Sequence, residues 1–361
     1  MGALGWHRRQ LAILGLVGLV VTTFVAYRRV LTGELIGDDL TFHLAEITRM
    51  RDCMVVGDWD FWNPSANAGY ASAYYYQALP LLVPAGFSAL TGVTPLTAFQ
   101  WCVLLPLVLA GPAAYRAVRV VGGTPWQAIA AAIACVFCVS NSRWGHGADG
   151  TFSVGLYTQT WAFAAFPLAL AHGTTWIAAR RGLVAATGWG LLVGLSHPFA
   201  GVALGLALAV GTACSMSARW IAPRMRNLPV LFSGLDRHPE FAPPQFSARA
   251  LRLAILGALL LLGSASAWLP TLIDYDGFGG FPRRVPDEVG PGLGGLLQMF
   301  ADGNLLDAGR PRVLTLLLPW ALLAGRGPWI GWLWSAALAY VLVLAVGPLL
   351  VTADDLFPAV R

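Results

Sequence analysis

Two adjacent acidic residues, Asp38 and Asp39, follow the first hydrophobic segment of the chain, and His43 lies one helical turn after Asp39. A carboxylate can take up a proton as a general base, or its oxygens can bind a hard divalent cation such as Mg²⁺ or Mn²⁺. A histidine one turn away can share a proton or a hydrogen bond with it. Asp38, Asp39 and His43 are therefore candidate catalytic residues, with both aspartates as candidate metal ligands. A simpler role stays open, because either aspartate can cap a helix that starts at Leu40.

An uncharged aromatic stretch follows, with Trp62 and Asn63 near its start and Tyr75 and Gln77 near its end. Aromatic rings beside amide and hydroxyl groups suit a sugar, since its apolar face stacks on a ring while its hydroxyls take hydrogen bonds. We therefore assign these residues to a candidate substrate-binding site. The alternative is that the rings anchor the chain at the membrane interface, where tryptophan and tyrosine are enriched.

Polar side chains in three later segments are further candidates for substrate binding. These residues are His146, Asp149, His197, Arg283 and Arg284. The arginine pair suits a phosphate group. Ordinary roles are also open: a solvated glycine-rich loop for the first two residues, a helix break for the second histidine, and interfacial charge for the arginines.

The elements that position these residues are apolar: 57% of the 361 residues are hydrophobic and 11% are charged. A helix needs about 20 apolar residues to cross the hydrocarbon core of a bilayer. Such windows lie at 11–27, 95–115, 126–142, 151–179, 183–218, 253–273 and 327–353, and a shorter one lies at 313–325. We interpret 183–218 as two helices broken at His197-Pro198, because proline lacks a backbone donor. The sequence predicts one all-α polytopic membrane domain of about nine spans.

The arginines set the expected orientation, because positive charge near short loops marks the cytoplasmic side. The N-terminus is then cytoplasmic, together with Arg8, Arg119, Arg180 and Arg326, whereas Asp39 and Asp287 lie outside. Loops are expected outside at 28–78 and 274–312 and inside at 219–250. The net charge of +5 is spread over these loops without forming a stripe, which favours membrane lipids over nucleic acid as partners.

Two short helices are expected at the outer surface. One covers 79–91 and does not cross the membrane fully. The other follows Asp39 and lies along the membrane surface, with Leu40, Leu44, Ile47 and Met54 near its apolar face. In the second outer loop, Asp302, Asn304 and Asp307 weakly resemble a calcium loop, although no closing glutamate follows at the right distance.

Three stretches, GDDLTFHLAEITRM, GDWDFWNP and AGYASAYYYQALPLLVPAGFSALTG, resemble the beginning of membrane glycosyltransferases of the C-type (GT-C) fold. In particular, they resemble the bacterial and archaeal membrane proteins labelled "6-pyruvoyl-tetrahydropterin synthase-related". The resemblance covers residues 33–92 and extends more weakly through YTQTWAFAAFPLALA and LSHPFAG. Members commonly continue beyond the point where this chain ends, so a truncated or compact form is expected.

The resemblance implies an inverting glycosyltransferase in the prokaryotic plasma membrane that serves the cell envelope on its extracytoplasmic face. Its donor would be a sugar on a polyprenyl phosphate, and its acceptor a glycan, a lipid or a protein. The acidic catalytic residue of the family would correspond to Asp38 or Asp39, with His43 as its neighbour. The rival hypothesis is a non-catalytic protein that binds or transports polyprenyl lipids. Ionisable residues that collect at the outer surface, and not at the bilayer midplane, favour the enzyme.

Overall fold

The computed structural model describes residues 3–33, 35, 37–64, 70–71, 77–139, 147–221, 246–273, 292–307 and 311–324. In these ranges the chain is mostly helical, as the composition predicted. The helices are α1 Ala3–Tyr27, α2 Leu40–Val56, α3 Ala78–Thr91, α4 Pro95–Val120, α5 Pro125–Phe137, α6 Tyr157–Ala179, α7 Leu183–Ser196, α8 Pro198–Ile221, α9 Phe246–Gly263, α10 Ala265–Ile273, α11 Gly292–Ala301 and α12 Val313–Ala324. A 3₁₀ turn covers Arg28–Leu31 and a π-helical turn covers Gly150–Val154. One antiparallel hairpin pairs β1 Trp62–Asn63 with β2 Tyr70–Ala71.

Among the described residues, three helical stretches are long and apolar enough to cross a membrane: Gln10–Leu31, Pro95–Val120 and Tyr157–Ala179. The prediction of about nine spans is not confirmed within the described ranges, and the window 327–353 lies outside them. Apolar composition does not show where a helix stops. The window 126–142 holds a helix that ends at Phe137, and the window 253–273 is divided by a turn at Ser264.

The N-termini of α4 and α5 share one local design. Thr94 and Thr124 are their N-cap residues, and each side-chain oxygen accepts a hydrogen bond from the backbone N–H three residues later, at 3.2 and 3.3 Å. A proline follows each threonine at the first helical position, where its missing N–H leaves no bond unmade. The dipeptide Thr-Pro thus fixes both helix starts.

Helices α4 and α6 run side by side in the same direction. Near their N-termini the Trp161 indole N–H donates to the Cys102 carbonyl at 2.9 Å. Further along, Ala113 and Ala117 pack with Leu168 and Ala171, and small side chains of this kind let helices approach closely. Both N-termini therefore lie at one end of the bundle, which also carries Asp39; we call it the site end.

At the opposite end, an arginine of α9 closes α6. The Arg252 guanidinium donates to the carbonyls of Ile177 and Ala178 at 2.7 and 3.1 Å. The last carbonyls of a helix lack partners within it and form the negative end of its dipole, so a cation stabilises them. Arg119 and Arg180, both predicted to be cytoplasmic, lie at the C-terminal ends of α4 and α6, away from Asp39. Which side of the membrane each end faces stays a prediction.

The predicted break at His197-Pro198 is confirmed. Helix α7 ends at Ser196 and α8 begins at Pro198, so the long apolar window holds two helices. The two helices touch through Gly194 and Gly201, where a Cβ on the second glycine would lie 3.1 Å from the Cα of the first. This glycine pair lets α8 turn back along α7 and pack Leu204 and Leu208 against α6.

Helices α2 and α3 pack together over the site end of α4. The short helix predicted at 79–91 is present as α3, which has 14 residues. The apolar face of α2 was predicted to rest on the membrane surface, but Leu40, Ile47 and Met50 are buried in a core with Leu81 and Phe99. Leu44 and Met54 are only partly buried, because the contact with α3 and α4 rotates the buried face toward other residues of α2.

Candidate functional site

The segment that carries Asp38 and Asp39 is fixed to the turn before α6 by main-chain hydrogen bonds. The Asp38 N–H donates to the Ser153 carbonyl at 3.4 Å, and the Asp39 N–H donates to the Val154 carbonyl at 3.0 Å. Those carbonyls belong to the π-helical turn and its end, an irregular element that often occurs at functional sites. The two aspartates are thus held between the start of α2 and the turn before α6.

Two glycines make this contact sterically possible. Gly155 has a φ of +90°, and a Cβ there would lie 2.7 Å from the Asp39 nitrogen and 3.0 Å from its Cα. On the other side, a Cβ on Gly37 would lie 2.9 Å from the Phe152 carbonyl oxygen. The distances of 2.7 and 2.9 Å are shorter than real Cβ contacts, so the two backbones approach closely only because neither glycine has a side chain.

The carboxylates of Asp38 and Asp39 are exposed to solvent. Asp39 occupies the N-cap position of α2, as one of the sequence interpretations proposed, but its side chain makes no capping hydrogen bond. The Asp39 backbone is in the right-handed helical region, whereas a residue whose side chain caps a helix N-terminus normally has an extended backbone. The expected carboxylate cap is therefore wrong for Asp39, and its carboxylate is not consumed by helix capping.

His43 lies behind the aspartates in the protein interior, with 1% of its surface exposed. Its backbone N–H donates to the Asp39 carbonyl at 2.9 Å, and its ring lies 5.5 Å from that of Tyr157. Burial lowers the pKa of His43 to about 4, while a hydrogen bond with the backbone of Gly155 raises it in part. The imidazole is thus neutral near pH 7 and belongs to the layer that supports the carboxylates.

Tyr157 belongs to the same buried layer as His43. Its hydroxyl donates to the Pro80 carbonyl at 2.7 Å, which ties α6 to α3. Its ring meets Phe99 edge-on at a centroid distance of 4.8 Å. A buried tyrosine needs a partner for its hydroxyl, and the Pro80 carbonyl supplies one without a charge.

Trp62 and Asn63 lie over α2, where two charged side chains hold them. Arg49 donates to the Trp62 carbonyl from Nε at 2.9 Å and from Nη2 at 2.5 Å. The Asn63 amide donates to Oε1 of Glu46 at 3.1 Å. Glu46 has 3% of its surface exposed, whereas Trp62 has 47%. The strand is therefore attached through its backbone and Asn63, while the indole of Trp62 faces outward.

The turn before Trp62 is built from local bonds and one strained residue. The Asp60 N–H donates to Asp58 at 3.2 Å, and the Trp62 N–H donates to Asp60 at 2.8 Å. Phe61 between them has a φ of +53° and is buried. A left-handed backbone costs a bulky residue about 1–2 kcal/mol, and here burial of the Phe61 ring offsets it. The left-handed backbone at Phe61 changes the direction of the chain, so that the Phe61 side chain points inward and the Trp62 side chain points outward.

Asp149 lies on the same irregular segment that holds Asp38 and Asp39. It is exposed and directly precedes the π-helical turn, without a capping hydrogen bond from its side chain. The turn itself is fixed to α6, because the hydroxyls of Thr151 and Thr160 are 2.6 Å apart and Thr151 also donates to the Gly147 carbonyl. Asp149 is thus joined to the aspartate pair through one short stretch of backbone.

Asp307 reaches the site end from the second predicted outer loop. It pairs with Val139 in a parallel bridge, and its buried carboxylate accepts hydrogen bonds from Leu314 and Thr315 at the start of α12. A third bond comes from the Thr315 hydroxyl at 2.7 Å. The calcium-loop interpretation of this segment loses its last ligand, because both oxygens of Asp307 are committed to capping α12.

Gln77 and His197 complete the described candidates. Gln77 is the residue before α3, and its buried Oε1 has no hydrogen-bond partner among the residues that the structure describes. His197 is half-buried at the end of α7, with its ring 5.9 Å from that of Phe199. Contacts between α3 and α7 bring both residues into the same half of the bundle. Tyr75, His146, Arg283 and Arg284 lie outside the described residues.

Glu46 was missed by the sequence reasoning. The buried side of α2 carries Leu40, His43, Ile47 and Met50, and a helical period through those positions includes residue 46. An acidic residue at a core position of an amphipathic helix needs a hydrogen-bonding partner, and Asn63 is one. That mismatch between pattern and residue type was the available signal.

The described residues contain no group of three or more histidine, cysteine, aspartate or glutamate side chains that could hold a metal ion. A divalent cation can still be held by one or two carboxylates together with substrate phosphates and water. The adjacent, exposed carboxylates of Asp38 and Asp39 fit that limited role. Comparisons with protein-family models, curated proteins and solved structures give no match to this chain.

Proposed function

We propose that this protein is a GT-C-like membrane glycosyltransferase that moves a sugar from a polyprenyl-phosphate donor to an acceptor on the extracytoplasmic face of the prokaryotic plasma membrane. The observation that carries the proposal is the pair of exposed, adjacent carboxylates held on a rigid backbone at one end of a bundle of apolar helices. A fixed carboxylate is what proton removal requires, because general bases act within hydrogen-bond reach of the proton they take.

Asp39 is the proposed base. The acceptor hydroxyl loses its proton to the Asp39 carboxylate while its oxygen bonds to the anomeric carbon. The bond from that carbon to the phosphate oxygen breaks, and the electron pair leaves with the polyprenyl phosphate. Attack from the face opposite the leaving group inverts the anomeric centre. Asp39 suits this step because its carboxylate is exposed while its backbone is fixed at both N–H and C=O.

The neighbouring groups take supporting roles in this proposal. Asp38 is the second carboxylate and, with Asp39, would hold a divalent metal, which would help to neutralise the charge of the departing phosphate. His43 supports the turn from the buried side and stays neutral. Gln77, Asp149 and His197, together with Tyr75, His146, Arg283 and Arg284, remain candidates for contact with the sugar, the phosphate or the acceptor.

The test is transfer of labelled sugar from a polyprenyl-phosphate hexose in membranes that contain the full chain. The double variant Asp38→Asn, Asp39→Asn should lose transfer by roughly 10²–10⁴-fold, the range for loss of a general base. Asp52→Asn is the matched control, because Asp52 is an exposed carboxylate on α2 that pairs with Arg51. Transfer at the parental rate by the double variant would exclude this mechanism. Binding of the lipid without transfer by the parental chain would point to the non-catalytic lipid-binding role.

A further inference from the structure

We infer that Glu46 and Arg49 are positioning residues that hold Trp62 as a stacking surface for a pyranose ring, with Asn63 as part of the attachment and not as a sugar contact. This inference rests on the proposed function. It concerns how the substrate sugar is bound, and it is independent of which aspartate acts as base.

The hairpin cannot hold its shape alone. Each of its strands has two residues, and isolated hairpins are marginal in water even when they are longer. Its first strand is instead fixed to α2 at consecutive residues: Arg49 binds the Trp62 carbonyl, and Glu46 binds the Asn63 amide. Glu46 and Arg49 are three residues apart and so lie on neighbouring parts of one helix surface.

The energetics of this attachment favour a functional explanation. Burying a carboxylate costs free energy that a hydrophobic residue at the same position would not cost. Phe61 adds a strained left-handed backbone at the residue before Trp62. A chain that needed only a membrane anchor could place an exposed tryptophan on any loop. Here a buried acid, a two-bond arginine contact and a strained turn all serve to fix the direction of one indole ring.

The occupant suits the proposed substrates. Trp62 is exposed and uncharged, and Trp59, 69% exposed, lies near it on the same turn. An indole face binds the apolar face of a pyranose, and its own N–H can reach a hydroxyl. The pyranose ring can belong to the donor or to a glycan acceptor, since either would present a sugar to this face in the proposed reaction.

The experiment measures binding by the full chain in lipid nanodiscs. One arm compares a short-chain prenyl-phosphate hexose with the same prenyl phosphate lacking the sugar, and the affinity ratio isolates the contribution of the donor sugar. A second arm measures octyl hexoside as an acceptor-like probe. We call the affinity ratio of the first arm and the octyl hexoside affinity of the second arm the sugar-dependent term of each arm. Trp62→Leu should reduce this term by about threefold to tenfold in one of the two arms, and that arm shows whether the pyranose belongs to the donor or to the acceptor.

The positioning role is tested with paired substitutions. Glu46→Leu and Arg49→Met should reproduce the Trp62→Leu loss, whereas Glu46→Gln, which keeps an acceptor for Asn63, and Arg49→Lys, which keeps a donor, should restore most of the sugar-dependent binding. Prenyl phosphate binding stays unchanged in each, which excludes general misfolding. A parental chain with no sugar-dependent term in either arm overturns the proposed function. A parental sugar-dependent term that survives Trp62→Leu in both arms overturns this inference alone.

Discussion

Two aspartate sites precede helices at the site end, and their carboxylates do opposite things. Asp307, before α12, is buried, and its oxygens accept three hydrogen bonds from Leu314 and Thr315. Asp39, before α2, is exposed and makes no capping hydrogen bond. The first carboxylate is a structural cap with a buried, saturated environment. The second is held in place by main-chain hydrogen bonds, and its carboxylate is exposed at the surface.

This comparison separates stability from transfer, and the largest predicted effect is on transfer. Asp39→Asn should lower the transfer rate by roughly 10²–10⁴-fold, because the amide cannot accept the proton. The melting temperature should stay within error of the parental value, because the main-chain bonds at Asp39 are kept. Asp38→Asn measured beside it assigns the base: a larger loss from Asp38→Asn than from Asp39→Asn would reverse the proposed roles.

The converse change, Asp307→Ala, should act on stability. It leaves two backbone N–H groups and one hydroxyl without their charged acceptor, and we expect a loss of roughly 3 kcal/mol in unfolding free energy. Transfer per folded molecule should be unchanged. Thermal unfolding in detergent and a transfer assay on the same preparation measure both quantities. A loss of transfer without a loss of stability would move Asp307 into the catalytic site.

A smaller effect is predicted for pH. The folded-state pKa of His43, about 4, lies below its ordinary value of 6.5, so the unfolded chain binds the proton more tightly. The part of the folding stability that depends on neutral His43 is therefore fully present above the unfolded-state pKa. It is lost as the pH falls toward the folded-state pKa. Lowering the pH from about 7 to about 5 should cost about 2 kcal/mol through this group. His43→Leu should remove this part of the pH dependence, and an unchanged slope would show that the imidazole is accessible to protons in the folded state.

The smallest effect concerns the opposite end. Arg252→Met keeps the aliphatic stem but removes two hydrogen bonds to the last carbonyls of α6. We expect a loss of about 1 kcal/mol, typical of a cation at a helix C-terminus, with transfer unaffected. Arg252→Lys is the control that retains the charge. A loss of transfer with normal stability would mean that the two ends are coupled through α6.

The sequence predicted the positions of secondary-structure elements better than the contacts between them. The break at His197-Pro198, the short helix α3 and the helix after Asp39 were all expected, because proline, charge and apolar period act locally. The number of spans was not confirmed among the described residues, where one helix ends at Phe137 and a turn at Ser264 separates two others within windows of continuous apolar composition.

The site was predictable in its residue types and not in their burial. Asp38, Asp39 and Trp62 are exposed as a site requires, but His43 lies in the interior and Asn63 is bonded to Glu46. Those differences depend on which partner covers α2, and that partner includes Gly155 and Tyr157 from a distant part of the chain. A helical period shows which side of α2 is apolar without showing what will meet it.

Gly155 also sets how this protein tolerates mutation. Any single-base missense change in a glycine codon encodes a residue with a Cβ, and the Cβ position at 155 is already occupied by the Asp39 backbone at 2.7 Å. Conservative replacement therefore does not exist at this codon. A library of all its coding variants should return glycine alone under selection for transfer, although residue 155 carries no side chain.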